Sequence, residues 1–328
     1  MKLTIRALTA LTLAVLTAPL PAEAQQTGAS NESARVGMLW PGPTPPPPPR
    51  MGAVEQGLRE SGYIEGQNLT VDLRFAAKGA TTIPDLAAQL VGLEPSVIMT
   101  IGDPATRAVQ QKTKSAPIVA LADDLVGVGL VDNLARPGGN TTGVQILAPE
   151  LSAKRLELLK QLVPGLSRVA VLADPDNSGS QLPPLREAAQ SLGITLQMLE
   201  VRSKDDIEKA ITAASSEHAG ALNVLASPML FAQSKLIVEL TAKYKLPAIH
   251  QWREAVEAGG LIPYGPVLAE MWRQTALLVG RVLKGQKPAQ LPVEEPSRYE
   301  LVINLKAAQA LELQIPEAIR LRADAVIQ

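Results

Sequence analysis

Short apolar runs alternate with helical segments along most of this 328-residue chain, and this alternation constrains the fold more than any other feature. The run Val97–Ile101 precedes a helical composition from Ala105 to Gln110, and similar pairs lie on either side of it. Strands and helices that alternate in this way build a parallel sheet with helices on both faces. The sequence therefore predicts an α/β protein with doubly wound sheets.

The same plan occurs twice along the chain. Arg168–Leu172 repeats the pattern of Arg35–Leu39, and each run opens its own series of strands and helices. The tail then adds two strands, expected over residues 261–266 and 299–304, and three helices, expected over residues 268–283, 305–311 and 315–327. Because these elements exceed what a second lobe needs, we expect the chain to cross back to the first lobe and return. The predicted fold is two doubly wound Rossmann-like lobes joined by a three-crossing hinge, with a cleft between them.

Residues 1–24 have the composition of a secretory signal peptide. Lys2 and Arg6 precede an apolar stretch too short to span a bilayer, and Ala22–Ala24 fits a small-x-small cleavage site. Residues 25–34 are small and polar, as in a flexible leader. The chain has no cysteine, which excludes disulfides and a lipid-modified cysteine. We therefore expect an exported protein that is free in a bacterial periplasm.

Composition and motifs argue against several classes of protein. The net charge of −1 leaves no electrostatic footprint for nucleic acid. The sequence has no G-x-S-x-G motif, no P-loop and no G-x-G-x-x-G motif. His218 and His250 are the two histidines, and they lie far apart in the sequence. We therefore expect no catalytic residue, no metal and no cofactor.

A proline-rich segment follows the first strand. The strand ends at Trp40, and Pro45–Pro49 is a run of five prolines before a helix expected over residues 51–61. Such a run favours a stiff polyproline connector. Alternatively, the stiff loop forms part of a cleft rim. Trp40 could stack on a ligand, or it could pack beneath the loop.

The turn after Val97–Ile101 is the strongest single candidate for a ligand contact. Asp103 is expected to cap the next helix, with Pro104 at its first position. Open α/β sheets bind ligands at such turns, at the carboxyl ends of parallel strands. The free N–H groups there favour polar or anionic groups. This turn is therefore predicted to form one wall of the cleft.

Other polar and aromatic residues occupy equivalent strand ends in both lobes. Asp123–Asp124 and the pair Asp174 and Asp176 could bind a cation or a ligand amine, or they could serve in turns and caps. Tyr264 lies near a crossing, where it could close over a ligand. The predicted ligand-binding residues are Trp40, Gly102, Asp103, Thr106, Asp123, Asp124, Asp174, Asn177, Ser227, Gln251, Trp252 and Tyr264.

Several longer motifs carry a family resemblance that covers essentially the whole mature chain. They are Gly57–Glu60 with Gly62–Asn68, Gly127–Val131, Leu134–Gly143, Lys154–Lys160, Gly259–Leu261 with Tyr264–Pro266, Leu283–Gly285 with Lys287–Pro288, and Glu300–Lys306. In these motifs the chain resembles ABC-transporter substrate-binding proteins of the tryptophan-binding-like group, which have a type I periplasmic binding fold.

The resemblance implies where the chain passes between lobes. It places crossings near Gly143–Gln145, Tyr264–Pro266 and Pro292–Pro296. With these crossings the N-terminal lobe comprises residues 35–144 and 267–293. The C-terminal lobe comprises residues 145–266 and 294–328.

The resemblance also implies that residues 102–106 contact the ligand, and here the chain departs from the family. The family usually has a hydroxyl residue where this chain has Asp103. A carboxylate there would repel a ligand carboxylate, at a cost on the order of 1 kcal/mol or more. Either the ligand presents an amine or hydroxyls to Asp103, or Asp103 only caps its helix and points away.

The predicted cleft and the family resemblance together indicate a function. We expect a monomeric binding protein that captures a small polar, amino acid-like molecule by hinge closure and delivers it to an inner-membrane ABC permease. The alternative is an exported sensor that docks on a receptor after binding its ligand. A small α/β enzyme is a more distant alternative, because no nucleophile or base is assembled at the cleft.

Overall fold

Two sheets, each with helices on both faces, organise the computed structural model, which describes residues 33–76 and 81–328. The predicted signal peptide and most of the predicted leader lie outside the described residues. Apolar side chains fill both faces of each sheet, which is why the strands have continuous apolar runs rather than alternating ones.

The first sheet has five parallel strands in the order β2-β1-β3-β4-β5. The strands are β1 (Ala34–Trp40), β2 (Leu69–Phe75), β3 (Val97–Ile101), β4 (Ile118–Ala122) and β5 (Thr141–Gln145). The helices between them are α1 (Pro48–Glu60), α2 (Ile83–Gly92) and α3 (Asp103–Lys112). The strand order places the carboxyl ends of β1, β3 and β4 side by side.

The second sheet has seven strands in the order β12-β11-β10-β9-β8-β6-β7, all parallel except at the β10–β11 pair. The strands are β6 (Arg168–Ala173), β7 (Thr195–Glu200), β8 (Ala221–Val224), β9 (Ala248–His250), β10 (Ile262–Pro266), β11 (Tyr299–Asn304) and β12 (Ala325–Ile327). The helices around it are α4 (Ala148–Leu162), α5 (Leu182–Leu192), α6 (Lys204–Ser216), α7 (Pro228–Ala232), α8 (Ser234–Lys243), α9 (Arg253–Glu257), α11 (Leu305–Ala310) and α12 (Glu317–Arg320). Helix α10 (Leu268–Leu283) follows β10 in the chain but packs against the first sheet.

The chain passes between the two sheets three times. It leaves the first sheet after β5, and it returns after β10 because α10 packs against α1. It leaves again after Leu291, where Glu294 bridges to Val144 of β5 before β11 joins the second sheet. The predicted α/β fold with two lobes and parallel sheets is therefore confirmed.

Two predicted element boundaries are wrong. Helix α1 begins at Pro48, so the last two prolines of the run form its first turn, where a missing N–H is tolerated. The helix predicted over residues 315–327 is instead the short α12 followed by β12. Asp324 accepts the Leu301 N–H at 2.8 Å and directs the tail onto the edge of β11.

Within the described residues, no helix combines the length and apolar character needed to cross a membrane.

Helix α1 contains two glycines for which alanine should have opposite effects on stability. At Gly57 a Cβ atom would lie 2.5 Å from the Arg273 carbonyl oxygen and 2.8 Å from the Ala276 Cβ, so Gly57→Ala should cost about 1–3 kcal/mol. A Cβ atom at Gly52 would lie more than 4 Å from every atom outside its own stretch of helix backbone, so Gly52→Ala should gain about 0.5–1 kcal/mol. Urea unfolding of both variants measures the difference. A stabilising Gly57→Ala would contradict the close α1–α10 contact.

Candidate functional site

A cavity lies between the two sheets, at the carboxyl ends of their central strands. Its volume is about 50 Å³ for the centres of water-sized molecules, and about 500 Å³ when all space between the lining atoms and the open mouth are counted. The predicted residues that line it are Trp40, Gly102, Asp103, Asp123, Asn177, Ser227, Gln251 and Trp252. The lining residues outside that prediction are Arg50, Ile101, Leu121, Ile146, Ala226, Pro228, Phe231, Leu268 and Trp272. The cavity is therefore largely apolar, with a few polar groups on its walls.

All three tryptophans of the chain line this cavity. Trp40 and Trp272 meet edge to face, with ring centroids 5.8 Å apart. The Trp40 indole N–H donates to the Thr44 carbonyl at 2.8 Å, so Trp40 packs under the proline-rich loop while also lining the cavity. The two alternatives for Trp40 are thus compatible. The intrinsic tryptophan fluorescence of the protein should therefore report on changes in this cavity.

Arg50 projects from the first turn of α1 into an aromatic environment. Its guanidinium carbon lies 3.5 Å from the Phe231 ring centroid, 5.6 Å from that of Trp40 and 5.5 Å from that of Trp272. The residue is 5% exposed, and its Nε and Nη2 have no partner among the described residues. Burial lowers the pKa of Arg50 to about 10, so the side chain remains cationic at neutral pH. Cation–π contact compensates part of the lost hydration.

Asp103 is not the helix cap that the sequence suggested. Gly102 occupies the cap position with a φ of 85°, and Asp103 is the first residue of α3. The Asp103 Oδ1 instead accepts the backbone N–H of Asp123 at 3.1 Å, which ties α3 to the end of β4. The pKa of Asp103 is raised to about 6, chiefly because the side chain is buried. The carboxylate of Asp124 also raises this pKa, whereas the hydrogen bond from the Asp123 N–H and the Arg107 guanidinium lower it.

Asp123 lies beside Asp103 on the same wall. Burial raises the pKa of the Asp123 carboxyl well above its usual range, and the nearby Asp103 adds to the shift. The guanidinium of the fully buried Arg155 opposes it. The Asp123 Oδ2 also accepts the Gln181 side-chain N–H at 3.4 Å. Both aspartates line the cavity and are partly buried.

Gln251 supplies a further polar group from the second sheet. It follows β9 and is 4% exposed, yet neither its Oε1 nor its Nε2 has a partner among the described residues. Ser227 is the cap of α7, where its hydroxyl accepts the N–H groups of Met229 and Leu230. Buried side-chain amides are rarely left without a hydrogen-bond partner, so Gln251 departs from the usual pattern.

Four predicted residues lie outside the cavity lining because they have other contacts. The Thr106 hydroxyl is fully buried and bonds to Thr100 and to the Gly102 carbonyl. Asp124 accepts the Gly127 N–H in the following turn. Tyr264 stacks on Tyr299, with ring centroids 6.3 Å apart.

Asp174 is the fourth of these residues, and it organises loops of the second sheet. Its carboxylate accepts the Asn177 amide at 2.7 Å, the Ser227 hydroxyl at 2.6 Å and the Asp176 N–H at 3.1 Å. Asp174 therefore has the turn role that was one of its two predicted alternatives, and it holds Asn177 and Ser227 at the cavity.

The described residues contain no group of three or more histidine, cysteine or acidic side chains placed to hold a metal ion. His250 is buried at the end of β9, and burial lowers its pKa to about 4, so it is neutral at physiological pH.

Sequence reasoning missed Arg50, Phe231 and Trp272. Arg50 follows the proline run directly, and the expected helix start at Met51 left it in the connector. Phe231 lies on the short α7, and Trp272 lies on the buried face of an amphipathic helix, where it resembles an ordinary core residue. The one sequence signal that pointed to Phe231 and Trp272 was the scarcity of aromatic residues, which make up 3% of this chain.

Similar proteins share this architecture. The chain is 27% identical over 266 residues to a tyrosine-binding protein of Clostridioides difficile (strain R20291). The aligned region covers 79% of this chain and 75% of that protein. A Streptococcus pneumoniae ABC domain solved in complex with L-Trp superposes with a TM-score of 0.83 at 28% identity, over 90% of this chain and 100% of that one. A conserved domain protein from Vibrio cholerae superposes with a TM-score of 0.82, also at 28% identity and with the same coverage.

The family match extends over most of the chain. The model of the family described as ABC transporter substrate binding protein matches residues 49–327. The matched range includes both sheets apart from β1, as well as Arg50, Asp103 and Gln251 on the cavity wall. The prediction that the chain is a binding protein rather than an enzyme is confirmed by this match. The chain belongs to the family of ABC transporter substrate-binding proteins.

Proposed function

We propose that this protein captures a small polar, amino acid-like solute in the cavity by closing its two lobes, and that it delivers the solute to an ABC permease. One observation carries the proposal: strand ends of both sheets line a single cavity that contains aromatic rings, a buried cation and two carboxyls. A solute that contacts both walls stabilises the closed arrangement by its differential affinity for that state.

Contacts across the cavity support closure as the working motion. Arg50 of α1 lies over the Phe231 ring of α7, and the Gln181 amide reaches Asp123. Both contacts join the wall of the first sheet to that of the second. The chain crosses between the sheets three times, so the lobe bounds expected from the sequence, 35–144 with 267–293 and 145–266 with 294–328, are our proposed rigid bodies.

We also propose a class of ligand and a cellular location for the protein. One relative is named a tyrosine-binding protein and one solved structure holds L-Trp, which supports an amino acid as the solute. Substrate-binding proteins of ABC transporters work outside the cytoplasm. We further propose that residues 1–24 direct export and that the mature protein is a monomer, free in the periplasm.

A solute screen on protein stripped of bound molecules tests this function. We expect at least one amino acid or related solute to raise the melting temperature and to change the tryptophan fluorescence, because all three tryptophans line the cavity. Chromatography of the incubated solute should recover it unchanged. Turnover of the solute, or a screen without any binder, would contradict the proposal.

A further inference from the structure

Arg50 makes its closest aromatic contact across the boundary between the two lobes. It lies in the first turn of α1, which packs against α10 on the side of the first sheet. Its guanidinium carbon is 3.5 Å from the ring centroid of Phe231, which lies on α7 on the side of the second sheet. The rings of Trp40 and Trp272, on its own side, are farther away at 5.6 and 5.5 Å.

Phe231 is held by one lobe and packs against the other. Its backbone N–H donates to the Ser227 carbonyl at 2.9 Å, on the side of the second sheet. Its half-buried ring packs against the apolar cluster of the first sheet, which includes Trp40 and Met99. Separation of the lobes would take the ring away from both this cluster and the Arg50 guanidinium. Closure therefore buries apolar area that opening would return to water.

The hydrogen-bonding edge of Arg50 is enclosed in this arrangement. The residue is 5% exposed, and its Nε and Nη2 are buried without a partner among the described residues. The closest contact of its guanidinium among the aromatic rings is with Phe231. Arg50 thus contributes to the closed arrangement through a contact within the protein.

Two opposing effects decide whether this contact favours closure. Loss of water from the guanidinium opposes closure, and this burial lowers the pKa of Arg50 to about 10. The Phe231 ring and the carboxylate of Glu254, on α9, attract the cation, and Glu254 raises its pKa. A guanidinium is weakly hydrated and stacks readily on rings, and a cation–π contact is strongest where water is excluded. Because Trp40 and Trp272 shield Arg50 from its own side whether or not the lobes close, we expect the attraction to exceed the added loss of water.

A second polar contact across the cavity is weaker. The Gln181 Nε2 donates to the Ala226 carbonyl at 2.9 Å, on its own side, and to the Asp123 Oδ2 of the other side at 3.4 Å. The longer distance lies beyond the usual range for an N–H to oxygen hydrogen bond, so this contact adds less to closure.

We propose that Arg50 and Phe231 form a latch that holds the two lobes together before any solute arrives. This inference rests on the proposed closing motion and goes beyond it, because it assigns part of closure to a contact within the protein. A solute then binds a protein whose closed arrangement is already populated. Arg50 is a positioning residue that acts on solute affinity through this population.

Distances between two spin labels measure the closed population without any solute. Because the chain has no cysteine, Glu55→Cys on α1 and Lys235→Cys on α8 would provide the only labelled positions, and both residues are exposed. Pulsed dipolar spectroscopy of the full chain, stripped of bound solutes, should show one predominant short distance. Phe231→Leu and Arg50→Gln should each add a longer distance, with the ratio of closed to open protein falling by about tenfold.

Further variants show whether the two residues act as one unit. The double variant Arg50→Gln with Phe231→Leu should open no further than either single variant, because each change alone removes the contact. Arg50→Lys keeps the charge on a more strongly hydrated group, so its closed population should lie between those of Arg50→Gln and the wild type. Additive opening by the two single variants would overturn the latch.

Lys243→Gln and Arg59→Gln are matched controls. The Lys243 ammonium lies 5.1 Å from the ring centroid of the adjacent Tyr244, so this cation–π contact does not cross between the lobes. Arg59 is an exposed arginine on α1. Neither control should change the label distances. A predominantly long distance in the wild type, or identical distances in the wild type, Arg50→Gln and Phe231→Leu, would overturn the proposal.

Solutes found in the screen provide an independent test. Arg50→Gln should weaken binding of solutes of different charge by the same factor, equal to the fall in the closed population. Weakening confined to anionic solutes would mean that Arg50 contacts the solute, and it would overturn the proposed role. If the screen finds no binder, the proposed function fails, while the label distances still decide whether the latch exists.

Discussion

Trp272→Ala is expected to lower the free energy of unfolding by about 3–5 kcal/mol. Trp272 is among the largest fully buried side chains of the described chain, and it packs between α10 and the first sheet. Its ring supports Trp40 edge to face and faces the Arg50 guanidinium. Alanine would therefore leave a large void beside the cavity. Urea unfolding followed by circular dichroism measures the loss.

Two further substitutions show whether burial is the cause. Trp252→Ala should cost about 1 kcal/mol or less, because Trp252 lines the same cavity but is only half-buried. Trp272→Phe should cost less than Trp272→Ala, since it keeps most of the ring and removes an indole N–H that has no partner among the described residues. A loss from Trp272→Ala no larger than that from Trp252→Ala would contradict the described packing.

Asp103→Asn is expected to stabilise the ligand-free protein, and more so at neutral than at acidic pH. The pKa of Asp103 is about 6 in the folded chain, against 3.8 for an ordinary Asp. Between these values the unfolded chain loses the proton first, so stability falls as pH rises through this window. Above this pH window, the ionised Asp103 lowers the free energy of unfolding by on the order of 3 kcal/mol, and by less where water reaches the carboxyl. Asparagine abolishes this cost while its side-chain oxygen still accepts the Asp123 N–H.

The neighbours of Asp103 set the size of this effect. Asp123 and Asp124 lie after β4, Arg107 lies on α3, and Arg155 faces Asp123 from α4. Removing the charge at position 103 also relieves Asp123, which adds to the gain at neutral pH. The measurement is the difference in unfolding free energy between variant and wild type, at about pH 4 and about pH 8. The exposed control Asp176→Asn should change little at either pH. A difference for Asp103→Asn that does not vary with pH would contradict the buried, charged carboxyl.

Much of the fold was predictable because its strands are buried on both faces. Val97–Ile101 is entirely buried and reads as an uninterrupted apolar run, which permits few alternatives. Helix α10 was equally clear, since its long apolar stripe extends over the whole element. The tail was not predictable in this way. Its β12 depends on pairing with β11, a contact that no local pattern in the tail reveals.

The cavity was predictable where it depends on strand ends and unpredictable where it depends on the approach of the lobes. Trp40 ends β1, and Asp103 and Gln251 come shortly after β3 and β9, so the topology brings all three to the carboxyl ends of the strands. Arg50 and Phe231 meet only because α1 and α7 face each other across the cavity. The role of Asp103 was also unpredictable, since its hydrogen bond to the Asp123 N–H is a tertiary contact that replaced local capping.

A crystal structure of the protein with the tightest-binding solute from the screen tests the central claim most directly. We predict that the solute lies between the two sheets, in contact with Trp40, Asp103 and Trp252. Solute density at any other place on the molecule would contradict the claim that this cavity is the binding site.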